Sequence, residues 1–180
     1  MFGLRGSGGN ELHSGNYHEE AARYDHLILP RSDEERATRL AAYTEAKSRA
    51  VLFNGVKELL EELHQSGRTL IVNTNAYEKM CIPLLKNAGV YDLFDFVATA
   101  DISKDKVEKF RIIAERYGLT KDEMVFVTDA LGDVRDADAA GVTTIAVTWG
   151  VHDASYFSRE PHENLKKIVA TIDELKAGLL

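Results

Sequence analysis

The hydrophobic positions after residue 51 follow a helical period and then a strand pattern. Apolar residues from Val56 to Leu63 recur at helical spacing and predict a helix from Gly55 to Gln65. The next run, Thr69 to Asn73, is short, apolar and β-branched, which is typical of a buried strand. A helix with one apolar face, followed at once by a buried strand, is the unit that the rest of the chain repeats.

The later repeats of this unit predict an α/β fold. The predicted elements are helices at 77–87, 105–117 and 133–140, strands at 96–99, 124–128 and 143–148, and, after Glu163, a short apolar run and a last helix. Strands that alternate with helices through short turns form a parallel sheet with helices on both faces. We therefore expect a Rossmann-like, three-layer parallel sheet.

The first 50 residues have a different pattern. Residues 16–26 and 34–50 read as two helices without a clear strand between them, although residues 26–30 are ambiguous. Residues 6–9 have the composition of a flexible linker. The predicted organisation is a partial helical lobe over residues 1–50 and an α/β core over residues 51–180.

Charge and composition limit the partners. The formal net charge is −7, so a nucleic acid or an anionic membrane would be repelled by the surface on average, and neither is an expected partner. An acidic protein that handles a phosphorylated compound needs a local positive feature. The single cysteine excludes an intramolecular disulfide, and no apolar run is long enough for a signal peptide or a membrane span, so a cytoplasmic protein is expected.

Polar residues follow the predicted strands at the edge where parallel sheets bind ligands. Thr74 and Asn75 follow the first strand, and Asp129 follows the third. Lys104 and Lys106 stand where the helix after the second strand begins. We expect a hydroxyl, an ammonium and a carboxylate to converge at this edge.

Asp129 and Asp133 are the strongest local signal. One carboxylate ends a predicted strand and the other lies four residues later, at a helix start. Two carboxylates completed by water and a phosphate oxygen are a common Mg²⁺ site. The structural alternatives remain open at this point: Asp129 as a turn residue, Asp133 as a helix N-terminal acid, and Thr74 as a helix cap.

The order of these features resembles the haloacid dehalogenase superfamily of hydrolases. Its second motif is similar to residues 70–75, its third is a lysine at a helix start, and its fourth is similar to the stretch with Asp129 and Asp133. The resemblance covers residues 51–150. It implies that Thr74 and Lys104 are catalytic, that Asn75 joins them in binding substrate, and that the two aspartates hold Mg²⁺.

The choice of lysine rests on spacing. Phe110 lies six residues after Lys104, as in family members whose lysine precedes the helix, although Asp105 replaces the usual proline. Lys106 is the alternative, and it lies further into the predicted helix. We therefore expect Lys104 to face the carboxylates.

The first motif of the family, an Asp-x-Asp on the first strand, is missing. Asp33 is the only carboxylate of the N-terminal third that is even loosely placed, and residues 11–50 resemble the helical cap of phosphoglycolate-phosphatase-like members. The chain is expected to begin after the first strand. The core would then have two unpaired strand edges, which another segment or self-association would fill.

Three functions follow from these observations. The first is a magnesium-dependent phosphatase of a small phosphorylated metabolite by lineage, inactive or truncated as this chain because the strand with the nucleophilic aspartate is missing. The second is a non-catalytic regulatory or interaction module that keeps the magnesium and phosphate pocket. A flavodoxin-like signalling domain is less favoured, because its acidic cluster would follow an earlier strand.

Overall fold

The fold is known from a computed structural model, which describes residues 32–35, 37–38 and 51–179. The predicted helical lobe lies mostly outside the described residues. Its described part is helical at residues 33–35 and 37–38, where the sequence predicts a helix from Glu34.

Residues 51–179 alternate between helices and strands as the hydrophobic pattern predicts. The helices are α1 (Val56–Gln65), α2 (Glu78–Asn87), α3 (Lys106–Tyr117), α4 (Leu131–Ala140), α5 (Ala154–Phe157) and α6 (Ile172–Leu179). The strands are β1 (Ile71–Asn73), β2 (Phe96–Ala98), β3 (Val125–Thr128), β4 (Thr143–Val147) and β5 (Leu165–Val169). The short helix α5 is an element that the pattern did not predict.

Two helix starts differ from the prediction in ways that matter for the site. Helix α3 begins at Lys106, because the Asp105 side chain accepts the backbone N–H groups of Val107 and Glu108 as an N-cap. Helix α4 begins at Leu131, two residues before the predicted start, so Asp133 lies inside its first turn.

The strands form two parallel sheets among the described residues. Strand β1 pairs with β2, with Ile71 opposite Phe96, and β4 lies between β3 and β5. Within residues 51–179, β1 and β3 therefore each pair on one side. Whether a further strand lies between these two sheets is not decided by residues 51–179, so the missing first strand stays a prediction.

Helices cover the three-stranded sheet on both faces. Helices α1 and α6 pack with Ile145, Val147 and Val169 on one face, while α4 and Phe157 of α5 pack with Ala146 on the other. Helix α2 packs on the β1–β2 pair. The predicted three-layer α/β fold is confirmed. None of the helices within the described residues is long and apolar enough to cross a membrane.

Candidate functional site

Two buried lysines lie on the inward face of α3. Lys106 and Lys109 share this face with Phe110 and Ile113, because positions i, i+3, i+4 and i+7 lie on one side of a helix. Lys109 is 0% exposed and Lys106 is 6% exposed. Buried lysines are rare unless their ammonium groups are paired, so the partners of both are informative.

Lys109 joins α3 to the turn that follows β1. Its Nζ lies 2.6 Å from the backbone oxygen of Thr74 and 2.6 Å from Oδ1 of Asn75, and it donates to both. Burial lowers the pKa of Lys109 to about 8, and the positive charge of Lys106 acts in the same direction. The ammonium therefore loses hydration but keeps two short hydrogen bonds.

Lys106 joins the same helix to α4. Its Nζ contacts Oδ1 of Asp133, whose other oxygen accepts a hydrogen bond of 3.0 Å from the Thr128 hydroxyl. The ammonium also lies 5.5 Å from the centre of the Phe126 ring. One face of α3 thus contacts the carboxyl ends of both sheets, through Lys109 at β1 and through Lys106 beyond β3.

Asp129 is held by the loop that follows β4. Its Oδ2 accepts the Val151 N–H at 3.1 Å, and its backbone oxygen accepts the His152 N–H at 3.1 Å. A Cβ added to Gly150 would overlap the Asp129 carboxylate, so this loop requires a glycine there. Burial raises the pKa of Asp129, and the negative charge of Asp133 raises it further. The hydrogen bond from the Val151 N–H acts in the opposite direction but does not cancel the rise. The carboxylate is confined at the strand end.

His152 completes this loop, and the sequence pattern predicts no role for it. Its ring is buried, and Nδ1 accepts the Leu131 N–H at 3.1 Å. Burial lowers the pKa of His152, which favours a neutral ring with its proton on Nε2. The ring packs on Tyr156 and Phe157. The turn carrying Asp129 is therefore attached to the β4–α5 loop at three points.

The expectation that Lys104 rather than Lys106 faces the carboxylates is wrong. Lys104 is exposed, whereas Lys106 contacts Asp133. The physical reason is the cap: Asp105 ends the preceding turn, so the residue after it is the first to have helical geometry. Lys109 was missed, although its position on the apolar stripe with Phe110 was visible in the sequence.

Thr74, Asn75 and Asp129 follow the carboxyl ends of strands, and Asp133 lies in the first turn of the helix after β3, as predicted. The Thr74 hydroxyl accepts the Ala76 N–H at 3.1 Å, so the capping alternative describes part of its role. Asn75 is exposed. Helix α3 contacts Thr74 and Asn75 through Lys109 and Asp133 through Lys106, whereas Asp129 contacts the loop after β4. The functional roles of these residues remain predictions.

The carboxylates fit an open Mg²⁺ site better than a closed one. Within the described residues no group of three or more His, Cys, Asp or Glu side chains could hold a metal ion. Mg²⁺ often takes one or two carboxylates and completes its octahedron with water and phosphate oxygens. Asp129 and Asp133 are the carboxylates that could supply such a smaller donor set, although Lys106 and the Thr128 hydroxyl already contact the two oxygens of Asp133.

Comparisons with known proteins agree with the fold and with the family resemblance. The sequence profile of the haloacid dehalogenase-like hydrolases matches residues 14–147. A phosphoglycolate phosphatase of Salmonella paratyphi A is 32% identical over 108 residues, which are 58% of this chain and 43% of that protein. The tyrosine-protein kinase PtkA of Mycobacterium bovis is 29% identical over 131 residues, or 71% of this chain and 45% of that protein.

A solved structure extends the comparison to the fold. A haloacid dehalogenase-like hydrolase from Streptococcus pneumoniae superposes with a TM-score of 0.74 at 19% identity, covering 88% of this chain and 75% of that one. By contrast, the chain spans less than half the length of the curated relatives named above.

Proposed function

Because the chain belongs to the haloacid dehalogenase-like hydrolase family, in its phosphoglycolate-phosphatase-like branch, we propose that it binds Mg²⁺ and the phosphoryl group of a small metabolite. The site is the edge formed by the ends of β1 and β3. The observation that carries the proposal is the contact of α3 with both ends, through Lys109 to Thr74 and through Lys106 to Asp133.

The proposed roles follow the geometry. Thr74 and Asn75 donate hydrogen bonds to phosphoryl oxygens, and Asp129 and Asp133 hold Mg²⁺ together with water. When bound, Mg²⁺ would neutralise charge on the phosphoryl oxygens. Lys106 replaces Lys104 as the lysine of the site, since its buried ammonium supplies the local positive charge that a protein of net charge −7 needs.

Binding without turnover is the second part of the proposal. The family resemblance implies an attacking aspartate at the end of a central strand. The only Asp-x-Asp in the sequence is Asp136 with Asp138, which lies inside α4, and Asp33 is exposed in a helical segment. Neither position is a strand end. The alternative, a non-catalytic regulatory or interaction module, would use the same pocket.

Self-association is also proposed, because β1 and β3 each pair on one side within the described residues. Backbone N–H and C=O groups at a strand edge favour pairing with another strand. A second copy of the chain is one source of such a strand.

Calorimetric titration tests the binding proposal. Mg²⁺, and then inorganic phosphate at saturating Mg²⁺, are titrated into the wild type, Asp129→Asn and Lys104→Met. Asp129→Asn keeps the size of the side chain and removes its charge, so Mg²⁺ should bind at least about tenfold more weakly. Lys104→Met is the matched control, because Lys104 is exposed, and it should bind as the wild type does. Equal Mg²⁺ binding by Asp129→Asn and the wild type would contradict the proposal.

A further inference from the structure

The side-chain amide of Asn75 has a defined orientation. An ammonium group has three donors and no acceptor, so the Asn75 atom that faces Lys109 must be Oδ1. The distance of 2.6 Å between Nζ and Oδ1 is that of a short, charge-assisted hydrogen bond. Because Lys109 is fully buried and Asn75 is exposed, the amide oxygen points inward and the NH₂ group points outward.

Thr74 presents a donor beside it. The Thr74 hydroxyl oxygen accepts the Ala76 N–H, which uses one of its lone pairs and leaves its own hydrogen for an acceptor. The backbone oxygen of Thr74 is held by the same Lys109 ammonium at 2.6 Å. Lys109 therefore fixes both the path of the turn and the direction of the amide.

We infer that Lys109 is a positioning residue that makes Asn75 a hydrogen-bond donor, so that Thr74 and Asn75 select an anionic oxygen such as that of a phosphoryl group. Lys109 is 0% exposed and acts through Asn75 rather than on the ligand. The inference rests on the proposed function, since it concerns the same edge. The inference gives a role to Lys109, which the family resemblance did not assign. It also gives the exposed Asn75 amide a function, as a donor to the ligand.

A purely structural role for Lys109 would predict something different. In that case Asn75 would serve only as a partner for the ammonium, and a carboxylate would serve at least as well, since hydrogen bonds between charged groups are stronger. Asn75→Asp separates the two roles. It keeps an acceptor for Lys109 but replaces the outward NH₂ group by a second carboxylate oxygen, which repels an anion.

The experiment uses the full chain, and inorganic phosphate with Mg²⁺ is the probe. Phosphate affinity by calorimetry and thermal stability are measured for the wild type, Asn75→Asp and Asn87→Asp. Asn87 is exposed at the far end of α2, so Asn87→Asp makes the same charge change away from the site. Asn75→Asp should bind phosphate at least about tenfold more weakly, because it removes one hydrogen bond to a charged group and places a negative charge beside the anion. Its melting temperature should not fall, and Asn87→Asp should bind as the wild type does.

A second variant tests Lys109 itself. Lys109→Met releases the amide, so the side-chain NH₂ resonances of Asn75 should shift in nuclear magnetic resonance spectra and phosphate should bind more weakly. If Lys109→Met does not fold, Asn75→Asp still decides the question. Phosphate binding by Asn75→Asp within twofold of the wild type would overturn the inference alone. Failure of the wild type to bind phosphate would instead reject the proposed function, and the inference with it.

Discussion

The ammonium of Lys106 contacts a carboxylate oxygen of Asp133, which joins the first residue of α3 to the first turn of α4. The Lys106 side chain is 7% exposed and that of Asp133 is 21% exposed, so solvent screens this pair less than it screens a surface pair. The ion pair therefore places a positive charge directly on one of the two carboxylates that are proposed to hold the metal.

The first prediction concerns this ion pair. Lys106→Met should lower the free energy of unfolding by about 3 kcal/mol, because it leaves a shielded carboxylate without its counter-charge. Lys104→Met should change it by less than about 0.5 kcal/mol, as expected for an exposed side chain. Urea denaturation of both variants measures the difference. Equal stability of the two variants would show that the pair does not matter to the fold.

The second prediction concerns the loop that holds Asp129. Gly150→Ala should weaken Mg²⁺ binding by at least about tenfold, because the added methyl group displaces the carboxylate. Gly118→Ala is the control: its φ of +65° strains an alanine, but nothing lies within 4 Å of the added carbon. That control should lose stability and keep its Mg²⁺ affinity. Calorimetry and thermal denaturation separate the two effects, and unchanged Mg²⁺ binding by Gly150→Ala would refute the prediction.

The third prediction concerns pH. The pKa of Lys109 is about 8 in the folded protein against an ordinary value of 10.5, chiefly through burial and then through Lys106, with Asp133, Asp136 and Asp105 acting in the opposite direction. Between these two values the unfolded chain binds more protons, so the contribution of Lys109 to stability should rise with pH. Below about pH 8 both states are protonated and the full penalty of burial remains.

The measurement for Lys109 is a difference. The free energy of urea unfolding is determined across this pH range for the wild type and Lys109→Met, and the wild-type value should rise relative to that of the variant. Other groups cancel in the subtraction, including Cys81, whose pKa burial raises to about 11. A constant difference from pH 8 to 10.5 would mean that Lys109 titrates normally.

The fourth prediction is that the chain does not hydrolyse phosphomonoesters at an enzymatic rate. A metal ion and a lysine can orient a phosphate, but hydrolysis in this family also needs an attacking aspartate. Among the described strand ends, the carboxylate that directly follows a strand is that of Asp129, and it is proposed to hold the metal. The assay uses p-nitrophenyl phosphate and phosphoglycolate with Mg²⁺. Turnover that disappears in Asp33→Asn alone would identify Asp33 as the nucleophile. Activity that returns on adding a peptide with an Asp-x-Asp strand would favour a missing strand over a binding role.

The fifth prediction is self-association through the edge of β3. Val125 begins this strand and is 48% exposed, so Val125→Lys places a charge where a pairing strand would lie. Sedimentation velocity should show concentration-dependent association of the wild type and a monomer for Val125→Lys. Val151→Lys is the control on a loop, at 67% exposure. A monomeric wild type at all concentrations would count against pairing between copies.

The α/β architecture and the strand-end positions were predictable because their signals are local. Helical and strand periods alternate within windows of about ten residues, so the predicted bounds from α1 to β4 lie within two residues of those observed. Thr74 and Asp129 follow strands in the sequence, and the carboxyl ends of parallel strands meet at one edge. Their placement therefore needed no tertiary contact.

The lysine could not be chosen by spacing alone. Side chains two residues apart on a helix point in directions that differ by about 200°. If Lys104 faces solvent, Lys106 therefore faces the core, and an error of two residues in the helix start selects the wrong lysine. The Asp105 cap decided this start, and the resulting face brought Lys106 to Asp133 and Lys109 to Asn75. The second of these contacts spans 34 residues, and no local pattern encodes it.

The sequence by itself determined the order of elements, the family resemblance and the residues that end β1 and β3. The tertiary structure decided which lysines enter the site, the direction of the Asn75 amide and the confinement of Asp129 by Gly150 and Val151. The reason is that periodicity depends on near neighbours along the chain. The direction of a polar side chain instead depends on which donors and acceptors the packing of distant segments brings within hydrogen-bonding distance.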